Sequence, residues 1–173
     1  AILTTPFTFV ATAEVIALLR ATPVFVDIDP ATYNIDPDSL ERAIVDLNTG
    51  RKPALGMPDG LKPRGIIPVD LFGLPAEYDR INRIAREHGL FVLEDAAQSF
   101  GAHYRGKRAG SLAPIAATSF FPAKPLGCYG DGGAIFTDDD DLYATLKSLR
   151  VHGMGADRYE NVRIGINGRM DTL

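Results

Sequence analysis

Tyr78-Asp79-Arg80-Ile81-Asn82-Arg83-Ile84-Ala85-Arg86-Glu87-His88-Gly89-Leu90-Phe91-Val92-Leu93-Glu94-Asp95 is the stretch that decides the fold. Tyr78, Ile81, Ile84, Ala85 and His88 recur at helical spacing and mark the packed face of a helix that Gly89 ends. Leu90-Phe91-Val92-Leu93 follows at once as an unbroken apolar run, the mark of a strand covered on both faces. A similar short run, Gly65-Ile66-Ile67-Pro68-Val69, precedes the helix. Strand, helix, strand with no alternation in the strands predicts a mostly parallel α/β sheet.

Working outward, the same grammar repeats. Ala1 to Thr4 reads as the end of a strand, Ala13 to Arg20 as a helix that Thr22-Pro23 breaks, and Val24 to Ile28 as a buried strand. Asp36 and Pro37 open a helix as N-cap and first helical residue, and Leu40, Ala43, Ile44 and Leu47 share its inner face. Residues 48–63 carry Gly, Pro and Lys without an apolar period and predict a surface loop. Ile115 to Ser119 and Gly133 to Phe136 predict two more strands. Asp139 to Arg150 predicts a last helix with Leu142, Leu146 and Leu149 on one side. Residues 151–161 are polar and irregular, and Met170 to Leu173 reads as the start of another helix.

Composition narrows the function classes. The 173 residues are 46% hydrophobic and 23% charged, with no Trp, an ordinary globular balance for one domain. Eighteen Lys and Arg against twenty-two Asp and Glu give a net charge of -4, so no general basic field exists to hold nucleic acid or an anionic membrane. The single Cys128 permits no internal disulfide, and no apolar run reaches the ~20 residues of a membrane span. No signal-peptide pattern opens the chain, so the expected location is cytoplasmic. The absent initiator Met and the mid-element ends predict a fragment of a longer polypeptide.

In open α/β sheets ligands bind beyond the carboxyl ends of the strands, which directs attention to three segments. Leu93-Glu94-Asp95-Ala96-Ala97-Gln98-Ser99 places two carboxylates at a strand end. Alternation turns one toward each face of the sheet, as a ligand-binding group or as a structural cap or ion pair. Ser119-Phe120-Phe121-Pro122-Ala123-Lys124-Pro125 sets a lysine in an apolar, proline-hemmed loop, a setting for amine nucleophile chemistry or for a snorkelling side chain. Gly127-Cys128-Tyr129-Gly130-Asp131-Gly132-Gly133 lacks the GK[ST] ending of a phosphate loop, and its glycines predict tight turns and close backbone packing.

Taken together, Glu94-Asp95-Ala96-Ala97-Gln98 and Ser119-Phe120-Phe121-Pro122-Ala123-Lys124, with 29 residues from Asp95 to Lys124, resemble the DegT/DnrJ/EryC1/StrS family of sugar aminotransferases. Thr8-Phe9-Val10-Ala11-Thr12, Pro23 to Asp29, Gly130 to Gly133 and Gly165-Ile166-Asn167-Gly168-Arg169-Met170 extend the resemblance along the chain in order. It implies a three-layer α/β/α large domain of fold type I, binding pyridoxal 5'-phosphate. It also implies that residues 1–173 lack the family's N-terminal phosphate-binding turn and C-terminal small domain, with 151–173 leading toward a dimer interface.

Carried over by position, the resemblance makes Lys124 the lysine that joins the cofactor through a Schiff base and moves protons. Asp95 becomes the partner of the pyridine nitrogen, while Glu94 faces the other way. Gln98 falls near the phenolic oxygen, and Ser119 becomes a hydroxyl donor to the phosphate. Phe9 becomes a flat side chain on the pyridine ring, its plainer alternative being a core Phe. Asn167 matches a residue that reaches the phosphate of a neighbouring subunit in a homodimer, and Arg169 matches a position that meets an anionic substrate or lies at the subunit interface.

The implied reaction is transfer of an amino group, from L-glutamate, to a keto group on a nucleotide-linked sugar. Within the family the chain looks most like enzymes that aminate a UDP-linked 3-keto-2-acetamido uronic acid for lipopolysaccharide synthesis. Rival readings are a sugar dehydratase of the same family, whose representatives carry His where Lys124 stands, a regulatory domain on the same fold, and a flavodoxin-like domain lacking its phosphate loop. His88 reads as a helix C-terminal residue, Asp27 and Asp29 as turn and cap residues, and Cys128 as a packing residue. His103 and His152 have no partners at metal-ligand spacing, and Asp138 to Asp141 opens a helix, so no metal site is expected.

Overall fold

The structure is a computed structural model that describes residues 1–53 and 56–170. Six strands form one sheet in the order β2-β1-β3-β4-β7-β8. These are β1 (Ile2–Thr4), β2 (Pro23–Phe25), β3 (Gly65–Ile67), β4 (Phe91–Asp95), β7 (Ile115–Ser119) and β8 (Gly133–Phe136). The first five pair in parallel, and β8 closes the edge antiparallel to β7. A two-stranded hairpin, β5 (His103–Tyr104) with β6 (Lys107–Arg108), lies outside this sheet. The helices are α1 (Ala11–Leu18), α2 (Pro37–Asn48), α3 (Tyr78–His88) and α4 (Asp140–Leu149).

Side-chain alternation in these short strands builds two unequal layers. Leu3, Val24, Ile66 and Val92 point to one face and pack with Leu40, Ala43 and Ile44 of α2 and Tyr78, Ile81 and Ile84 of α3. Ile2 and Ile67 point the opposite way and meet Ile16 of α1, with Leu93 beside them. Helices therefore cover both faces, and the expected three-layer arrangement is present.

Most of the local signals hold. Asp36 caps α2, its carboxylate accepting from the Asp38 and Ser39 N–H groups. His88 ends α3 ahead of Gly89, and Asp139 caps α4 by accepting from the Leu142 N–H. Asp27 and Asp29 accept from nearby backbone at Ile28 and Ala31, as turn residues do.

The differences have physical causes. Helix α1 begins at Ala11, two residues before its expected start, and ends at Leu18, with Arg20 left-handed. β2 stops at Phe25 because the chain turns out of the sheet, Ile28 bridging to Ile35 instead. β4 begins at Phe91 and runs through Glu94 and Asp95, so both carboxylates lie inside the strand and not after it. The β5–β6 hairpin has two-residue strands, too short for periodicity to reveal. In α4 the expected leucines are half-buried and Ser148 is the buried residue. Residues 151–161 are irregular, yet Val151 bridges Asn167 and Met154 bridges Asn161, folding the segment back on itself. Part of the 48–63 loop, at 54 and 55, and the expected helix start at 171–173 lie outside the described residues.

Candidate active site

The carboxyl ends of β1, β3, β4 and β7 lie along one edge of the sheet, and the segments leaving them carry the chemistry. After β1 the chain passes through Phe9 into the first turn of α1. After β4 comes the turn to Ser99, and after β7 the Lys124 loop that returns as β8.

Strand alternation separates the two neighbouring carboxylates. Glu94 points to the α2–α3 side, fully buried, and accepts from the Gly110 N–H at 2.5 Å and the Leu112 N–H at 2.8 Å. Burial pushes its carboxyl above the usual range, against the pull of those two backbone donors. Asp95 points to the α1 side, half-buried. Its Oδ2 accepts from the Thr12 hydroxyl at 2.8 Å and its Oδ1 from the Ala97 N–H at 3.2 Å. Thr12 is backed by Thr8, hydroxyl to hydroxyl at 2.8 Å, one helical turn away. A carboxylate offers about four acceptor sites, so two donors fix Asp95 and leave it able to accept a further N–H.

Gln98 is held from the other side, its Oε1 accepting from the Phe72 N–H at 2.6 Å. That bond fixes the amide's orientation and leaves its Nε2–H groups as the free, donating end. Phe72 has a left-handed backbone, φ 55°, within a single 3-10 turn at Leu71–Gly73. Buried Asn34 braces the turn, accepting from the Leu71 N–H and donating to the Leu74 carbonyl.

Ser119 ends β7 opposite Gly133 of β8. Its Oγ accepts from the Phe121 N–H at 3.2 Å, and its hydroxyl proton stays available. The loop beyond is compact. Cys128 N–H donates to the Phe120 carbonyl, Phe120 N–H to Gly132, and Lys124 N–H to Phe121. A side chain at Gly127 would overlap the Pro122 carbonyl, and a Cβ at Gly133 would sit 2.7 Å from the Thr118 carbonyl oxygen. These two glycines serve close backbone approach, as their pattern predicts. Lys124 is half-buried, and among the described residues its ammonium makes no hydrogen bond or ion pair. Cys128 donates to the Gly130 carbonyl and stiffens the same loop.

The geometry thus gathers Asp95, Gln98, Ser119 and the Lys124 loop on adjacent strand ends. Phe9 is 70% exposed at the head of α1, which rules out the core alternative. Asn167 and Arg169 are exposed on the returning segment and bond to none of these groups, although Met170 beside them packs within reach of Gly132. Among the described residues no group of three or more His, Cys, Asp or Glu is placed to hold a metal ion. Thr12, Thr8, Asn34 and Asp70 were not singled out as site residues by sequence. The spacing of Thr8 and Thr12, four apart, is the one signal that could have pointed to a pair.

A mostly parallel α/β sheet with helices on both faces is the architecture of the fold type I class. The chain belongs to the DegT/DnrJ/EryC1/StrS aminotransferase family, which matches residues 1–173. It is 52% identical over 172 residues to UDP-2-acetamido-2-deoxy-3-oxo-D-glucuronate aminotransferase of Pseudomonas aeruginosa, covering 99% of this chain and 44% of that protein. A crystal structure of a DegT DnrJ EryC1 StrS aminotransferase from Brucella abortus superposes with a TM-score of 0.91 at 53% identity, over 99% of this chain and 44% of that one. DesV of S. venezuelae, solved in complex with a ketimine intermediate, gives 0.83 at 37% identity, over 98% and 41%. The chain spans less than half the length of these relatives.

Proposed function

We propose that this chain is the cofactor-binding large domain of a pyridoxal-phosphate-dependent enzyme that moves an amino group from L-glutamate onto a keto group of a nucleotide-linked sugar. The observation that carries the reading is the Asp95 carboxylate, fixed by Thr12 and Ala97 with acceptor capacity to spare, one strand away from the loop that presents Lys124.

The residues present fit the cofactor. Asp95 accepts from a ring N–H and keeps that nitrogen protonated. Gln98, its carbonyl end tied to Phe72, turns its amide N–H toward the phenolic oxygen. Ser119 donates its hydroxyl to the phosphate, and exposed Phe9 offers a flat face at the head of α1. Lys124 Nζ would be the attachment point and, once released, would take a proton from the substrate's amino-bearing carbon. When bound, pyridoxal phosphate supplies an electron-poor ring that accepts the electron pair set free at that carbon. Everything else in the step is positioning by the protein's own groups.

Similarity to the Pseudomonas aeruginosa enzyme supports a UDP-linked 3-keto-2-acetamido uronic acid as substrate, and we assign the reaction to lipopolysaccharide synthesis. We place the protein in the cytoplasm as a homodimer in which Asn167 contacts the phosphate, and Arg169 the anionic substrate, of the neighbouring subunit. No helix among the described residues is long and apolar enough to cross a membrane. Adding L-glutamate to the cofactor-loaded full chain tests the reading: the visible absorption of the lysine-bound cofactor bleaches, and the nucleotide keto sugar restores it. An unchanged spectrum overturns it.

A further inference from the structure

Behind Asp95, on the opposite face of β4, lie two further carboxyls that the proposed reaction does not use. Asp70 and Glu94 are both fully buried neighbours. Asp70 Oδ1 accepts from the Ala76 N–H at 3.1 Å and the Tyr78 hydroxyl at 2.8 Å, and its Oδ2 from the Ser99 hydroxyl at 2.8 Å. Its backbone N–H donates to the Asp95 carbonyl at 3.1 Å. The titratable groups facing it are Tyr78 from α3 and Glu94 from β4, both acidic. Among the described residues neither Asp70 nor Glu94 pairs with a cation.

Two ionised carboxylates buried together without a cation are strongly disfavoured, so the pair retains a proton. Hydrogen-bond inventory says where. Each Glu94 oxygen already accepts from a backbone N–H, which can only donate, and the side-chain hydrogen bond that reaches Glu94 comes from the Asp70 carboxyl, which makes Glu94 the acceptor and Asp70 the donor. Asp70 Oδ2 faces a hydroxyl, which accepts as readily as it donates. We propose that Asp70 holds the shared proton while Glu94 carries the charge, and that Asp70 is a positioning residue whose side chain holds Ser99 and through it the neighbouring Gln98. The positioning half rests on the cofactor reading above; the proton-sharing half does not. Burial pushes the Asp70 carboxyl up to about 7, the Glu94 charge adding to the rise while the Ser99 and Tyr78 hydrogen bonds oppose it.

The test uses the full chain, with and without pyridoxal phosphate. In cofactor-free protein, Asp70→Asn reproduces the protonated shape, since its amide N–H donates to Ser99. It should melt with the wild type at pH 6 and above it at pH 8.5, with loss of the protonated-carboxyl infrared band. Glu94→Gln turns an amide N–H against a backbone N–H and should melt lower at both pH values. With the cofactor, Asp70→Ala should weaken binding about tenfold, the loss of one buried polar bond network worth ~1.4 kcal/mol, and Asp70→Asn should restore it.

Asp70→Asn melting as low as Glu94→Gln at both pH values, or keeping the wild-type dependence on pH, overturns the shared proton. Equal cofactor affinity in Asp70→Ala and wild type overturns the positioning role. If the cofactor-free results hold and no cofactor binds to Lys124, the proposed function fails while the carboxyl pair stands.

Discussion

Thr12 Oγ1 donates to Asp95 Oδ2 at 2.8 Å, joining the first turn of α1 to the end of β4 across 83 residues of sequence. The bond fixes the orientation of the carboxylate proposed to meet the cofactor. Hydrogen bonds to charged groups contribute about 1.5–3 kcal/mol. Thr12→Val keeps the shape of this buried side chain and loses the donor, so cofactor affinity should fall roughly tenfold or more by absorption titration, with Thr12→Ser close to wild type.

Asp95→Asn removes the charge proposed to face the ring nitrogen while keeping the size of the group. The amide should fold normally, since the Ala97 N–H still finds an oxygen, and the rate of the glutamate half-reaction should drop by about 10²–10³, the usual cost of losing a preorganised electrostatic partner. Stopped-flow absorption at saturating glutamate reads that rate, and a loss of less than threefold would remove Asp95 from its role.

Gly133→Ala places a methyl group 2.7 Å from the Thr118 carbonyl oxygen, inside the β7–β8 pair. The strands must part, and overpacking of this kind costs about 1–3 kcal/mol. Chemical denaturation should show that loss, with a further weakening of cofactor binding because Ser119 pairs with Gly133 in the same register.

Asp36 gives a pH dependence of known sign. Burial works against its charge, but the Ser39 hydroxyl, the Ser39 and Asp38 N–H groups and Arg42 prevail and hold the carboxyl below its ordinary 3.8. A native value below the unfolded one means that the stabilisation is complete above that ordinary value and fades as pH falls through the lowered one. Asp36→Ala should cost about 1 kcal/mol at pH 7. Denaturation at pH 7 and pH 3 should show the mutant and wild type converging at the acidic end.

How far the fold was legible follows from the kind of signal each element leaves. The unbroken run at Phe91-Val92-Leu93 and the helical spacing of Tyr78, Ile81, Ile84 and Ala85 encode burial directly, so the parallel sheet and α3 were readable. Glu94 and Asp95 facing opposite layers follows from strand alternation alone. Lys124 was marked as a candidate by its apolar, proline-hemmed loop and given a role by resemblance, whereas Phe9 entered through resemblance alone, because a surface aromatic looks alike in function and in idleness. Asp70 left no trace, since an isolated acid after a short strand reads as a turn residue, and its burial depends on Tyr78 and Ser99 arriving from distant elements. Asn34 was hidden for the same reason, its partners Leu71 and Leu74 lying far along the chain.

The central claim is that Lys124 holds the cofactor opposite Asp95. Borohydride reduction of the full chain incubated with pyridoxal phosphate, followed by proteolysis and mass spectrometry, locates the attachment. A single reduced pyridoxyl adduct on the peptide carrying Lys124, absent in Lys124→Ala, is the predicted result; an adduct on another lysine, or none at all, contradicts it.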